Sequence, residues 1–195
     1  TDGREDLDAM IRGARSRGLR YLAITDHSRS QFMSHGFDEN ALKRAAETIR
    51  KKGAHLDDLW LLAGVEVDIL PDGRLDLDPA VLAGMDWVIA SVHDKLQEPA
   101  EHQTMRLIAA IESGVVNCIG HPTGRKLGER GTMSFDIDRV LRACADRGVC
   151  LEINAQPNRL DPPDDLTRQA RAAGVTLVIS TDAHASDELD FARLG

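Results

Sequence analysis

Val178-Ile179-Ser180-Thr181-Asp182-Ala183-His184 is the stretch that decides the fold. It is a short apolar, β-branched run that stops on an aspartate and a histidine one residue apart. That is the pattern of a buried parallel strand whose carboxyl end is used for chemistry. The same pattern recurs in Tyr21 to Thr25 followed by Asp26-His27, Leu61 to Val65 followed by Glu66, Val88 to Val92 followed by His93, and Val116 to Gly120 followed by His121. Each run ends on a side chain able to bind a metal ion.

Helical segments lie between the runs. Leu7, Met10, Ile11 and Ala14 form one stripe between Asp6 and Arg17, closed by Gly18. Asp38 is placed to cap a helix carrying Leu42, Ala45, Ala46 and Ile49, stopped by Gly53. A helix from about Ala100 to Ser113 should bury Met105, Ile108 and Ile111 and leave His102 exposed, and two more follow at Ile137 to Arg147 and Asp164 to Ala173. Ser186 is a candidate cap for a last one. Pro71-Asp72-Gly73 predicts the turn of a small hairpin. Strands alternating with helices predict a parallel sheet or barrel, because parallel neighbours are joined by crossovers that cover the sheet. Functional residues then gather where the carboxyl ends meet. A chain that opens on a loop and a helix is expected to have lost its first strand.

The strand-end candidates are His27, Glu66, His93, His121, Asp182 and His184. Asp2 is a further candidate, with a turn or N-cap role ahead of the first helix as its alternative. Several carboxylates in one recess repel each other and are costly to desolvate unless protons or cations accompany them. For Glu66, inside a strongly apolar run, the competing explanation is a buried salt bridge to an arginine. Imidazole and carboxylate without thiolate suit Zn, Mn or Fe better than Mg or Ca. The set exceeds what one ion can use, so two or three divalent ions are expected, with a carboxylate such as Glu66 bridging. Such sites hold the attacking and leaving oxygens of a phosphoryl group, and the nucleophile would be a metal-activated water. Neither a Gly-x-Ser-x-Gly elbow nor a phosphate-binding loop with Gly-Lys-Ser/Thr occurs.

The loop Thr123 to Phe135 is basic and glycine-rich, and Arg125 in it suits an anionic substrate; Arg159, in the Pro-rich loop Ala155 to Pro163, is a second phosphate candidate. Glu152 falls within the run Val149 to Ile153, which ends on Asn154. His35 and His55 lie outside the strand-end pattern and are read as solvated.

The 195 residues fit one domain, 1–195, near the lower end of the roughly 200 to 400 of an eight-unit αβ barrel. Hydrophobic residues make up 42% of the chain, with no apolar run near the roughly 20 residues that span a bilayer, so a membrane protein is not expected. A net charge of -8 argues against a broad basic nucleic-acid face, although a neighbouring domain could deliver DNA. Aromatic content of 4% leaves little for base stacking. Cys118, Cys144 and Cys150, odd in number and without Cys-x-x-Cys spacing, read as reduced core residues of a cytoplasmic protein.

Thr25-Asp26-His27-Ser28, Gly64-Val65-Glu66-Val67-Asp68-Ile69, Ala90-Ser91-Val92-His93, Gly120-His121-Pro122-Thr123-Gly124-Arg125, Leu151-Glu152-Ile153-Asn154 and Ser180-Thr181-Asp182-Ala183-His184 together resemble the PHP (polymerase and histidinol phosphatase) domain. The variant is most similar to the C-terminal domain of bacterial family X DNA polymerases, on the strength of His-Pro-Thr-Gly-Arg and Asn-x-x-x-x-Arg-Leu-Asp. The resemblance implies an α/β fold, a distorted (βα)7, TIM-like barrel holding three divalent ions. It implies that Glu66, His93 and His121 hold one ion and Asp2, His27 and His184 a second. Glu66 and Asp182 would hold the third with two histidines of a His-x-His motif on a strand that this sequence lacks. The implied activity is Mn-dependent phosphoester hydrolysis at DNA 3′ ends, as a 3′–5′ exonuclease or 3′-phosphatase serving DNA repair beside a covalently linked polymerase domain. A phosphatase acting on histidinol phosphate and a non-catalytic PHP scaffold are the rival readings.

Overall fold

A computed structural model describes residues 1–31 and 34–195. Six strands, β1 (Tyr21–His27), β2 (Trp60–Asp68), β3 (Trp87–Ser91), β4 (Cys118–Ile119), β5 (Cys150–Asn154) and β6 (Leu177–Ser180), pair side by side in chain order. Every pairing is parallel. The sheet curls into a half-barrel whose two open edges are β1 and β6.

Helices α1 (Leu7–Ser16), α2 (Glu39–Gly53), α3 (Pro79–Leu82), α4 (Ala100–Glu112), α5 (Ile137–Arg147) and α6 (Asp164–Ala172) supply the rest of the architecture, with a 3-10 segment at Ser186–Leu194. Their starts are written in the sequence. The carboxylates of Asp6, Asp38 and Asp136 accept the backbone N–H of Ala9, Ala41 and Arg139 at 2.8, 2.7 and 3.0 Å. Each satisfies a donor that the first helical turn would leave unpaired. Gly148 ends α5 at φ 67, a left-handed conformation that glycine adopts without a Cβ penalty.

Strand alternation divides the side chains of β2. Leu61, Ala63, Val65 and Val67 are buried on the outer face, in apolar clusters that also contain Ile49 of α2, Leu107 of α4 and Val140 of α5. The intervening positions Trp60, Leu62, Gly64, Glu66 and Asp68 face the concave side. Gly64 is required there, because a Cβ would stand 2.8 Å from the Trp87 carbonyl oxygen and 2.8 Å from Thr25 Cγ2.

Several expectations are corrected. Met105 is half exposed, because α4 instead buries the face of Gln103, Arg106, Leu107 and Ala110. There the Arg106 guanidinium donates to the carbonyls of Leu70 and Asp94, each at 2.9 Å, and replaces an apolar contact with a buried polar one. The hairpin shrinks to a single antiparallel bridge between Ile69 and Leu75. The expected strand Val116 to Gly120 is ladder-paired only at Cys118–Ile119, and His121, at φ 24, turns the chain away before Pro122. Ser186 does not cap the last helical segment, since Ala185 holds that position without a side-chain bond. His35, His55 and His102 are exposed, as expected. All three cysteines are free, and burial pushes the Cys144 thiol up to about 12, which leaves it unreactive. Among the described residues, no helix is long and apolar enough to cross a membrane.

Candidate metal centre

β1 and β2 pair with His27 opposite Glu66, and strand alternation turns both side chains into the half-barrel. The carboxylate of Glu66 is then shared three ways. Oε2 lies 3.5 Å from His27 Nδ1, while Oε1 lies 3.3 Å from His93 Nε2 and 3.0 Å from His121 Nε2. The imidazoles stand edge to face, with ring centroids 5.6 Å apart for His27 and His93 and 5.0 Å for His93 and His121. The arginine partner considered for Glu66 is not what the structure places there: its neighbours are histidines.

A second group adjoins the first through His27. Asp2 Oδ2 lies 3.5 Å from His27 Nε2 and 3.2 Å from His184 Nε2, and it accepts the Ser34 hydroxyl at 2.9 Å. Asp6 caps α1, so Asp2 is free of the helix-start role that the sequence left open for it. His184 Nδ1 lies 2.9 Å from the Asp182 carbonyl oxygen; an N–H there leaves Nε2 with its lone pair toward Asp2. Asp2, His27, Glu66, His93, His121 and His184 therefore form one continuous constellation, although 182 positions separate its ends. Asp182 stands apart from it. Its carboxylate accepts Asn154 Nδ2 at 3.2 Å and lies 3.4 Å from Arg159 Nε, and its backbone adopts φ 49.

The electrostatics follow from crowding. Burial alone would raise the Glu66 carboxyl, but His121 and His93 against it hold it well below the usual range. Burial alone would lower His93; Asp68 and Glu66 reverse this and raise it to about 10. Asp2 is likewise held low by His27, Ser34 and His184 against the effect of burial, and His184 is raised by Asp182 and Asp2.

Three further buried carboxylates, none of them among the strand-end candidates, complete the surroundings. Asp68, two residues past Glu66 and on the same face, meets His93 Nδ1. Glu152 accepts the His121 backbone N–H and the Ser180 hydroxyl, tying the ends of β4, β5 and β6 together, and burial raises its carboxyl. Asp161, fully buried, accepts Thr123 N at 3.1 Å, Thr123 Oγ1 at 2.9 Å and Arg125 N at 3.1 Å. Arg125 in turn donates through Nε to the Arg159 carbonyl at 2.9 Å and through Nη2 to that of Leu160. The two stretches that looked like separate motifs are one interlocked pair of loops. The Arg125 guanidinium is occupied by carbonyls, whereas Arg159 Nη1 is buried without a partner among the described residues.

The donors fit divalent cations. Two triads, Asp2/His27/His184 and His27/Glu66/His93, each bring their candidate ligand atoms within 4.8 Å of one another. Among the described residues His27 Nδ1 and His121 Nδ1 are buried with no hydrogen-bond partner, an expensive condition for a polar atom that no cation accompanies. Neutral imidazole with carboxylate is the donor set that Zn, Mn and Fe accept. Below the constellation a cavity of about 1280 Å³ runs along the inside of the half-barrel between β1 and β6, past Glu152 and Ser180 to Tyr21, Trp60 and Trp87.

The family model described as PHP domain matches residues 1–156. Over 196 aligned residues, the whole of this chain, 41% are identical to the DNA polymerase/3'-5' exonuclease PolX of Bacillus subtilis (strain 168); the match covers 34% of that relative, so the chain spans about a third of its length. A probable phosphatase of Thermoanaerobacter sp. (strain X514) is 32% identical over 186 residues, 90% of this chain and 71% of the relative. Among solved structures, histidinol phosphate phosphatase of Lactococcus lactis, in complex with zinc, L-histidinol and phosphate, superposes with a TM-score of 0.67 at 21% identity, covering 98% of this chain and 86% of that one. The curled parallel sheet is shared with that phosphatase, and the recurrence of a metal-competent side chain at strand after strand is what the family match accounts for: the chain belongs to the PHP domain family, in the form like that of family X polymerases.

Proposed function

We propose that this chain is a divalent-metal-dependent phosphoesterase that acts on DNA 3′ ends, the 3′–5′ exonuclease or 3′-phosphatase module of a family X repair polymerase. The observation that carries the reading is the single Glu66 carboxylate facing three imidazoles from neighbouring strand ends. When bound, Mn, Zn or Fe ions supply neutralisation of phosphoryl charge and activation of a water. Glu66, His93 and His121 would hold one ion, and Asp2, His27 and His184 a second. His184 is oriented by the Asp182 carbonyl for Nε2 ligation. Of the two arginines, Arg159 has the nitrogen left to meet a substrate phosphate, while Arg125 holds the loops that present it.

A seven-unit barrel is part of the same reading. The unpaired edges of β1 and β6 flank one cavity, and one further strand carrying the family's His-x-His would close it and complete a third ion site with Glu66 and Asp182. Residues 1–195 then form a single domain, joined in one polypeptide to a polymerase domain and working in the cytoplasm. Identity of 41% to the polymerase relative over the whole chain supports this subtype over the histidinol phosphate phosphatase reading, which the zinc- and phosphate-bound fold neighbour keeps in play. The test is to assay the full-length protein with Mn on 3′-recessed DNA, on 3′-phosphorylated DNA and on histidinol phosphate. Faster turnover of histidinol phosphate would overturn the subtype. No hydrolysis of any of the three, with metal bound, would leave the non-catalytic scaffold.

A further inference from the structure

Asp68 is nearly buried, yet its two carboxylate oxygens have separate tasks. Oδ1 meets His93 Nδ1. Oδ2 accepts the Ser30 hydroxyl and, at 2.9 Å, Gln31 Nε2. Ser30 is itself anchored, because its backbone N–H donates to the buried Asp76 at 2.7 Å, and the Ser28 hydroxyl accepts the Asp68 N–H at 3.0 Å. Asp68 thus has a partner on each oxygen. It is a brace, held from the loop after β1, against the back of one imidazole.

An imidazole that gives one nitrogen to a cation keeps its remaining proton on the other, and the partner of that second nitrogen decides which is which. Among the described residues His27 and His121 have no hydrogen-bond partner at Nδ1, His184 has a neutral carbonyl there, and His93 has a hydrogen-bonded carboxylate. We propose that Asp68 is a positioning residue that fixes the proton of His93 on Nδ1, so that Nε2, 3.3 Å from Glu66, is the nitrogen presented to a cation. The inference rests on the reading of this site as a divalent-metal centre.

The geometry makes an isosteric change more damaging than its size suggests. In Asp68→Asn, Ser30 and Gln31 supply two donors to the outer position and hold the amide oxygen there. The amide NH2 is then turned to His93 Nδ1, which must accept, and the ring proton moves to Nε2, the nitrogen a cation needs. The conservative variant therefore inverts the tautomer rather than merely removing a charge.

The test uses the full-length protein, freed of metal by chelation and titrated calorimetrically with Mn²⁺, alongside nitrogen-detected NMR of histidine-labelled protein loaded with Zn²⁺. In the unaltered protein His93 should carry its proton on Nδ1 and coordinate through Nε2. Asp68→Asn should weaken Mn²⁺ binding ~10- to 100-fold, as outer partners of ligating histidines do, with the metal-free unfolding midpoint little changed. In a His93→Ala background the same substitution should change nothing further. A proton on Nε2 of His93 in the unaltered Zn²⁺ form would overturn the proposal, and so would undiminished Mn²⁺ affinity in Asp68→Asn or a loss that persists without His93. Should Asp68→Asn fail to fold, the spectrum of the unaltered protein decides alone. Absence of Mn²⁺ binding to the unaltered protein would instead refute the metal-centre reading, a failure distinct from this one.

Discussion

Raising the pH of the metal-free chain from 6 to 9 should destabilise it, and His93 sets the magnitude. Its folded-state pKa stands at about 10 against an ordinary value of 6.5. A group raised on folding stabilises fully below its unfolded pKa and loses that contribution as pH climbs through the folded one. Across pH 6 to 9 the loss works out at about 3 kcal/mol, from a shift of that size at about 1.4 kcal/mol per unit. Raised His184 acts in the same direction, whereas Glu66 and Asp68, held low, titrate only in acid. Urea unfolding in EDTA, followed by circular dichroism at each pH, measures the slope, and His93→Gln should flatten most of it. Saturating Mn²⁺ should reverse the trend, because a cation competes with protons for the same nitrogens and binds better as they leave. A stability that is flat or rises between pH 6 and 9 without metal, or a slope unchanged in His93→Gln, would show that Asp68 and Glu66 do not hold His93 protonated.

Four substitutions probe the rest. His184→Ala removes a third-exposed ring, so activity of the full-length protein should vanish while the unfolding free energy moves by less than about 1 kcal/mol; a large loss of stability would make His184 structural. Gly64→Ala drives a Cβ against a carbonyl oxygen of β3 that cannot step aside, and urea titration should show a loss of about 1–3 kcal/mol. Asp161→Ala strips the partners from Thr123 N, Thr123 Oγ1 and Arg125 N at once and should lower stability by about 3 kcal/mol, read by thermal unfolding, with Arg125→Ala producing part of the same loss.

What the sequence made legible was local. Apolar runs ending on His27, Glu66, His93, His121 and His184 announced their strand ends, because a β-branched stretch cut short by a polar group has few other uses. The residues that brace those ends were harder to see. Asp68 shares a face with Glu66 by strand alternation, yet nothing local marks it as a partner of His93 until Ser30 and Gln31 fold over it. Asp161 and Arg125 are 36 positions apart, and only the folded chain reveals that their loops interlock. That β1 and β6 in particular are the edge strands depends on which strands meet in space.

If Glu66 and the imidazoles around it hold divalent cations, anomalous diffraction at the Mn edge from crystals of the full-length protein grown with Mn²⁺ will locate them. The expected map has a peak within coordination distance of Glu66 and His93, and a second beside Asp2, His27 and His184. Mn²⁺ ordered elsewhere in the domain, with Glu66 still bonded to histidines alone, would contradict it.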